Sequence, residues 1–189
     1  MDSSDAGILK SYRKNKHQGL GMLYDRYKKY VYTIAYHYTG NREDALDLTQ
    51  DVFVSVFNNL EGFKVEFSLL PWVKRITVNK CLNFLRDRKQ TLSLDRPDEN
   101  GTAMWDHLHS FEDTESRVFY LDTKQSLTKA IQKLPPQERM AVILRHMKGM
   151  KYEEIAKTMN LPLGTVKTSL HRGRNHIKES MKKDGTLEG

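Results

Sequence analysis

Absences narrow this sequence before any motif does. Its 189 residues include a single cysteine, Cys81, so no internal disulfide can form and no cysteine framework for a structural metal is present. The seven histidines offer no pair at the i, i+4 spacing that puts two imidazoles on one helix face; His171 and His176 diverge by about 140° on a helix. There is no phosphate-cradling glycine loop and no nucleophile set beside a base, which makes an enzyme acting on nucleic acid the poorest reading. No long uninterrupted apolar run occurs, and the opening MDSSDAGILKSYRKNK has no apolar signal core, which points away from secretion and membrane insertion. The expectation is a soluble cytoplasmic protein with no cofactor, no metal and no catalytic residue.

What is present is basic. The formal net charge is +7, which favours a polyanionic partner, nucleic acid first and anionic membrane second. The length allows one medium domain or two small ones. From Leu134 to Met181 apolar residues recur at helical spacing in three runs, broken at Lys148-Gly149 and again at Asn160 to Gly164, so three short helices are expected, the last two as a helix-turn-helix. In the last run Val166, Leu170, Gly173 and Ile177 share a narrow sector, while Lys167, Thr168, His171, Arg172 and Asn175 point the other way. Lys, Thr and Arg on a free side suit base edges in the major groove, with Arg174, Lys178, Lys182 and Lys183 within reach of phosphates. The plain alternative is a solvated basic surface.

The first half is also helical in pattern. Ile8, Leu9 and Tyr12 suit a short amphipathic helix, and Asn15 to Gly21 reads as a turn. Leu23, Tyr24, Tyr27, Val31, Ile34, Ala35 and Tyr38 keep spacings of three or four up to Gly40, with the tyrosines expected mainly around a small core. Asn41 should cap the next helix, with Glu43 and Asp44 in its first turn. Ala45, Leu48, Val52 and Val56 form its inner stripe; Asp44, Asp47, Gln50 and Asp51 make an acidic, amide-bearing outer surface. That surface suits docking or plain solvation. A loop follows, and Pro71-Trp72 should start a helix carrying Lys74, Arg75, Lys80 and Arg86. An aromatic-bearing loop beside a basic helix suits single-stranded DNA; Phe63, Phe67 and Trp72 would also serve as core, which is the expectation for Trp72, while Phe63 suits either role. Residues 90–122 are acidic and poor in apolar anchors, as a linker is. Residues 123–133 supply a further helix with Leu127, Ile131 and Leu134 inward.

Leu134-Pro135, Arg139 and Leu144, then Tyr152-x-Glu154-Ile155-Ala156, then Gly164-Thr165-Val166-Lys167-Thr168-x-Leu170-x-Arg172-x-Arg174 together resemble the fourth conserved region of bacterial sigma factors, most of all the extracytoplasmic-function group. Asp44-Ala45-x-Asp47-Leu48-x-Gln50-Asp51-x-Phe53 resembles region 2.2, and Phe63 with Trp72-x-x-x-Ile76-x-x-Asn79 resembles regions 2.3 and 2.4. The resemblance implies an all-α protein of two small helical domains joined by a flexible linker: region 2 at 5–90, the acidic linker at 91–122, and region 4 with its helix-turn-helix at 123–183. It implies that Asp47, Gln50, Asp51 and Phe53 contact core RNA polymerase at the β′ clamp helices, with region 4 near the β flap. Phe63, Lys64, Lys74, Arg75 and Asn79 would engage the minus-ten element, and Lys167, Thr168, His171, Arg172 and Arg174 the minus-thirty-five element. An anti-sigma factor is an expected partner. Two positions depart from the family pattern, Leu69 where many members have Phe and Asn83 where many have Asp; the first could alter which base the loop accepts.

The implied function is promoter recognition and melting on behalf of polymerase. The competing reading is a free-standing helix-turn-helix regulator that binds duplex DNA alone. It accounts for residues 134–181 equally well but leaves the acidic face, the aromatic loop and the basic helix without a role.

Overall fold

The computed structural model describes residues 4–63, 68–91 and 125–185, with side chains of the fourth helix described to Arg86. Lys64 and the acidic segment 91–122 therefore lie largely or wholly outside the described residues. All regular structure within them is helical, and the chain divides into two compact units.

The N-terminal unit holds α1 (Asp5–Lys14), α2 (Lys16–Thr39), α3 (Arg42–Asn59) and α4 (Leu69–Thr91). Its starts and stops are written in local chemistry. The Ser4 hydroxyl accepts from the Gly7 N–H, the Asn15 side chain accepts from the Gln18 N–H, and Asn41 Oδ1 accepts from both Glu43 and Asp44 N–H groups. Each cap satisfies amide donors that a helix leaves unpaired in its first turn. Gly40 ends α2 at φ 73°, a left-handed conformation that costs glycine little. Ile8, Leu23, Val31, Val52, Val56, Leu69 and Val73, each at most 0% exposed, form one shared core.

Three sequence expectations change here. The chain turns only at Asn15, because Gly19 already lies within α2. A Cβ at Gly19 would sit 2.3 Å from Tyr12 Cα, so this glycine serves the crossing of α1 over α2 and not a turn. The helix α4 begins at Leu69, two residues before Pro71, and Leu69 is fully buried, so it packs in the core and does not face a base. Of the tyrosines, Tyr27 and Tyr38 are buried, Tyr30, Tyr32 and Tyr36 are half-buried, and Tyr24 is exposed.

The C-terminal half of the chain holds α5 (125–132), α6 (Pro136–Val142), α7 (Tyr152–Met159) and α8 (Leu163–Lys183). The helix α6 runs on as a π-turn over Ile143–Met147. Ala130, Ile131, Leu134, Met140, Ile143, Leu144, Ile155, Val166 and Leu170 are buried. Leu127, expected inward, is 38% exposed; Ala130 lies inward beside Ile131. Arg139 joins α6 to the end of α5, its guanidinium donating to the Gln132 side chain, the Gln132 carbonyl and the Leu134 carbonyl. Glu138 and His176 join α6 to α8 at 2.8 Å, and the backbone of α8 approaches closely at Gly173.

Candidate functional site

The helix-turn-helix is built from three local devices. The Arg145 guanidinium donates to the Met150 carbonyl at 3.0 Å and lies 5.2 Å from the Tyr152 ring centroid, which holds the corner before α7. Glu154 then reaches back to the Lys151 N–H at 2.8 Å, half of a capping box that fixes where α7 begins. At its other end Asn160 takes φ 53° and the Leu161 N–H bonds to the Ala156 carbonyl at 3.0 Å, a Schellman closure. With both ends of α7 set, Pro162 leads into α8.

On α8 the two sides differ as the spacing requires. Val166, Ser169, Leu170, Gly173 and Met181 are buried, while Lys167, Thr168, His171, Arg172 and Arg174 are all exposed. The Thr168 hydroxyl donates to the Gly164 carbonyl at 3.0 Å. Its lone pairs and methyl remain for a partner, which suits an amino group or a thymine methyl on a base edge. His146, which helical periodicity does not mark, is exposed beside these cations and is held towards its neutral form. Burial lowers its pKa first, and the charges of Arg174 and Arg145 lower it further. Only folding brings His146 under the influence of Arg174, so periodicity gives no sign of it.

A different surface lies on α3. Asp47, Gln50 and Asp51 are exposed, and so are two large apolar side chains, Leu46 at 44% and Val54 at 56%. At 3.6 residues per turn these five fall within about 140° of the helix circumference, with the apolar pair among the acidic and amide groups. Leu46 and Val54 were missed because an outward leucine or valine breaks the period that marks a core. Phe53 does not join them. It is 3% exposed, its ring 4.8 Å from Tyr24 and 5.8 Å from Phe57, so it is a core residue that supports the face from beneath.

The helix α4 brings Arg75, Asn79, Asn83 and Arg86 to one exposed side, within about 80° at 3.6 residues per turn. Lys74 lies about 140° away from Asn79, with its ammonium 5.8 Å from the Tyr30 ring; it does not belong to that side. Phe63 is half-buried and tilted against Trp72 at 4.9 Å between ring centroids. Both rings pack on the edge of the N-terminal core, and each keeps part of its surface open. Lys64 and Phe67 lie outside the described residues. Among the described residues no group of three or more His, Cys, Asp or Glu side chains could hold a metal ion, and burial pushes the Cys81 thiol up, away from the reactive thiolate. Among the described residues no helix is long and apolar enough to cross a membrane.

Comparison with known proteins places the chain by family and fold. Residues 23–91 match the family described as Sigma-70 region 2, and residues 124–177 match Sigma-70, region 4. The ECF RNA polymerase sigma factor SigE of Mycolicibacterium smegmatis is 34% identical over 155 residues, which cover 81% of this chain but only 58% of that protein. SigW of Bacillus subtilis, also an ECF RNA polymerase sigma factor, is 26% identical over 177 residues, covering 92% of this chain and 95% of its own length. In fold, the chain is similar to the sigma factor RpoE from Bartonella quintana, solved with the anti-sigma factor NepR, at a TM-score of 0.61 and 23% identity over 82% of this chain and 91% of that one. Two region matches in the order region 2 then region 4, with relatives of one kind along most of the chain, identify it: this protein belongs to the sigma-70 family, in the extracytoplasmic-function group.

Proposed function

We propose that the chain binds core RNA polymerase through the exposed face of α3 and gives it promoter specificity, α4 and Phe63 engaging the minus-ten element and α8 the minus-thirty-five element. The observation that carries this is the contrast of three outward faces: acidic with apolar anchors on α3, cationic and amide-bearing on α4, cationic on α8. Asp47, Gln50 and Asp51, with Leu46 and Val54 on the same face, have the mixture found at a protein interface, where apolar anchors are desolvated and charges set the orientation. Lys167, Thr168, His171, Arg172 and Arg174 have the donors that base edges and phosphates accept. Arg75 and Asn79 meet the strand that melting exposes. Phe63 offers an aromatic surface on which a base can stack, worth about 1–3 kcal/mol per base.

The protein itself makes and breaks no bonds. It directs an enzyme by binding energy, each wrong base at a read position costing about 1–3 kcal/mol. The units 5–90 and 123–183 act as the two DNA-contacting domains, with 91–122 connecting them. Its place of action is the cytoplasm, with polymerase. The Bartonella sigma factor is bound by an anti-sigma factor, and an inhibitor of that kind suits a chain whose cationic faces would otherwise take up any nucleic acid.

A free-standing helix-turn-helix regulator leaves the α3 face unused, and gel shift separates the two readings. With a duplex promoter carrying both elements, the sigma reading expects tight, sequence-specific retention only when core polymerase is present. Equally tight specific binding by the chain alone would overturn it.

A further inference from the structure

One carboxylate of the N-terminal unit with four partners lies outside the region that matches the family. Asp5, the first residue of α1, spends its two oxygens on different parts of the fold. Oδ1 accepts from the Tyr27 hydroxyl at 2.7 Å and lies 3.5 Å from Arg26 Nε, both on α2. Oδ2 accepts from the Ser68 hydroxyl at 2.9 Å and from the Leu69 N–H at 2.8 Å. Leu69 is the first residue of α4, so that N–H is one of the donors a helix cannot satisfy within itself, and the cap arrives from 64 residues away. A carboxylate there also meets the positive end of a 23-residue helix. Burial raises the Asp5 pKa, and the bonds from Tyr27, Leu69 and Ser68 with the charge of Arg26 outweigh it, so the net shift is downward and the group is ionised at neutral pH.

We infer that Asp5 is a positioning residue for the minus-ten element: it fixes the start of α4 against α1 and α2, and so sets where the exposed side bearing Arg75 and Asn79 meets the melted strand. Both attachments of the helix start run through one carboxylate. Leu69 is fully buried while Ser68 beside it is exposed, so the point held by Asp5 is where the chain passes from the α3–α4 connection into the core. A small displacement at this point tilts the whole of α4, and contacts made two and three turns further along move with it. The α3 face does not depend on this post, because α3 is capped by its own Asn41.

This inference rests on the proposed reading of α4, and the test keeps the two apart. Holoenzyme is assembled from core polymerase and the full chain. Its affinity is measured for a single-stranded non-template minus-ten oligonucleotide and for a set of variants with one base changed. The wild-type ratio between the best base and its substitutes is the reference. Asp5→Asn keeps the size of the side chain but loses the charge and one acceptor, and should lower that ratio by about tenfold, the effect of losing one hydrogen bond to a charged group. Affinity for core should stay as in the wild type. Ser68→Ala removes only an exposed hydroxyl donor and should lower the ratio by about threefold, with Ser68→Thr restoring it; this pair covers the case in which Asp5→Asn folds poorly. Wild-type ratios in both Asp5→Asn and Ser68→Ala would overturn the role of Asp5 alone. A fall in core affinity parallel to the fall in base discrimination would make Asp5 merely structural and overturn it too. No discrimination by the wild-type holoenzyme would overturn the reading of α4 itself, and the role of Asp5 with it.

Discussion

The faces of α3 and α8 are both outward sides of amphipathic helices, yet they are furnished in opposite ways. On α3 two large apolar side chains, Leu46 and Val54, stand exposed among Asp47, Gln50 and Asp51. On α8 none of the described exposed residues is a large apolar one, and the outward side is Lys, Thr, His, Arg and Asn. A protein partner can desolvate leucine and valine, and that desolvation is a main source of affinity at an interface. Duplex DNA presents a dense row of phosphates and hydrogen-bonding base edges, against which cations and amides gain most. The difference therefore supports the proposed division, a protein partner for α3 and a nucleic acid for α8, even though both show the same helical period.

Charge reversal on α3 attacks the comparison at its strongest point. Asp47→Lys with Asp51→Lys should weaken binding to core polymerase by about 3 kcal/mol or more, since it replaces favourable charges at an interface with unfavourable ones. Both residues are exposed, so the melting temperature should hardly move. Anisotropy with labelled core reads the effect. If transcription initiation in a purified assay survives the double reversal, α3 is not the docking surface.

The two units also differ in how closely their helices cross. A Cβ at Gly19 would lie 2.3 Å from the backbone of Tyr12, whereas one at Gly173 would lie 2.9 Å from a side-chain methyl of Val142. Backbone cannot step aside as a side chain can. Gly19→Ala should therefore destabilise by about 2–3 kcal/mol despite the better helix propensity of alanine, and Gly173→Ala should stay within about 1 kcal/mol of the parent. Gly21, in the same helix with nothing within 4 Å, is the control; Gly21→Ala should stabilise by about 0.5–1 kcal/mol. Urea titration of the three variants gives the order, and an equal loss at Gly19 and Gly173 would remove the distinction.

Legibility followed the range of the interactions. Caps and stops that act within four residues, such as Asn41 and Gly40, were readable, as were the stripe Ala45-Leu48-Val52-Val56 and the two sides of α8. Devices that join distant segments were not. Gly19 looked like a turn because glycine marks turns more often than close crossings, and nothing nearby in the chain reveals Tyr12 above it. The motif at Phe53 implies an outward contact, whereas the rings of Tyr24 and Phe57 hold it inward. The resemblance puts Lys74 with Arg75 and Asn79, although one residue of displacement is 100° of rotation. Arg139, bonded to the end of α5, and Asp5, bonded across 64 residues, act through contacts that exist only once the chain has folded.

A smaller effect tests the α8 side of the comparison. Arg172→Ala should weaken binding of holoenzyme to a promoter with its minus-thirty-five element by about 1–3 kcal/mol and relax selectivity at one base position. A purely phosphate-directed arginine would instead weaken all sequences alike and reduce the salt dependence. Measuring affinity for single-base variants at two salt concentrations tells the cases apart, and unchanged selectivity would remove Arg172 from the reading side.

The smallest effect concerns the turn that aims α8. Asn160 is exposed and sits at φ 53°, the only described residue other than glycine with a positive φ. Asparagine tolerates that region better than most residues, and glycine adopts it without a Cβ penalty but loses more freedom on folding. These terms oppose each other, so Asn160→Gly should change stability by only a few tenths of a kcal/mol. Asn160→Val meets the penalty with no offset and should cost about 1–2 kcal/mol. Because the Leu161 N–H to Ala156 carbonyl bond closes the same turn, the valine variant should also loosen the angle between α7 and α8. Its promoter selectivity at the minus-thirty-five element should fall while its affinity for core, proposed to run through α3, stays unchanged. A valine variant that lost both together would show that the two faces are not independent, and the contrast between them would have to be redrawn.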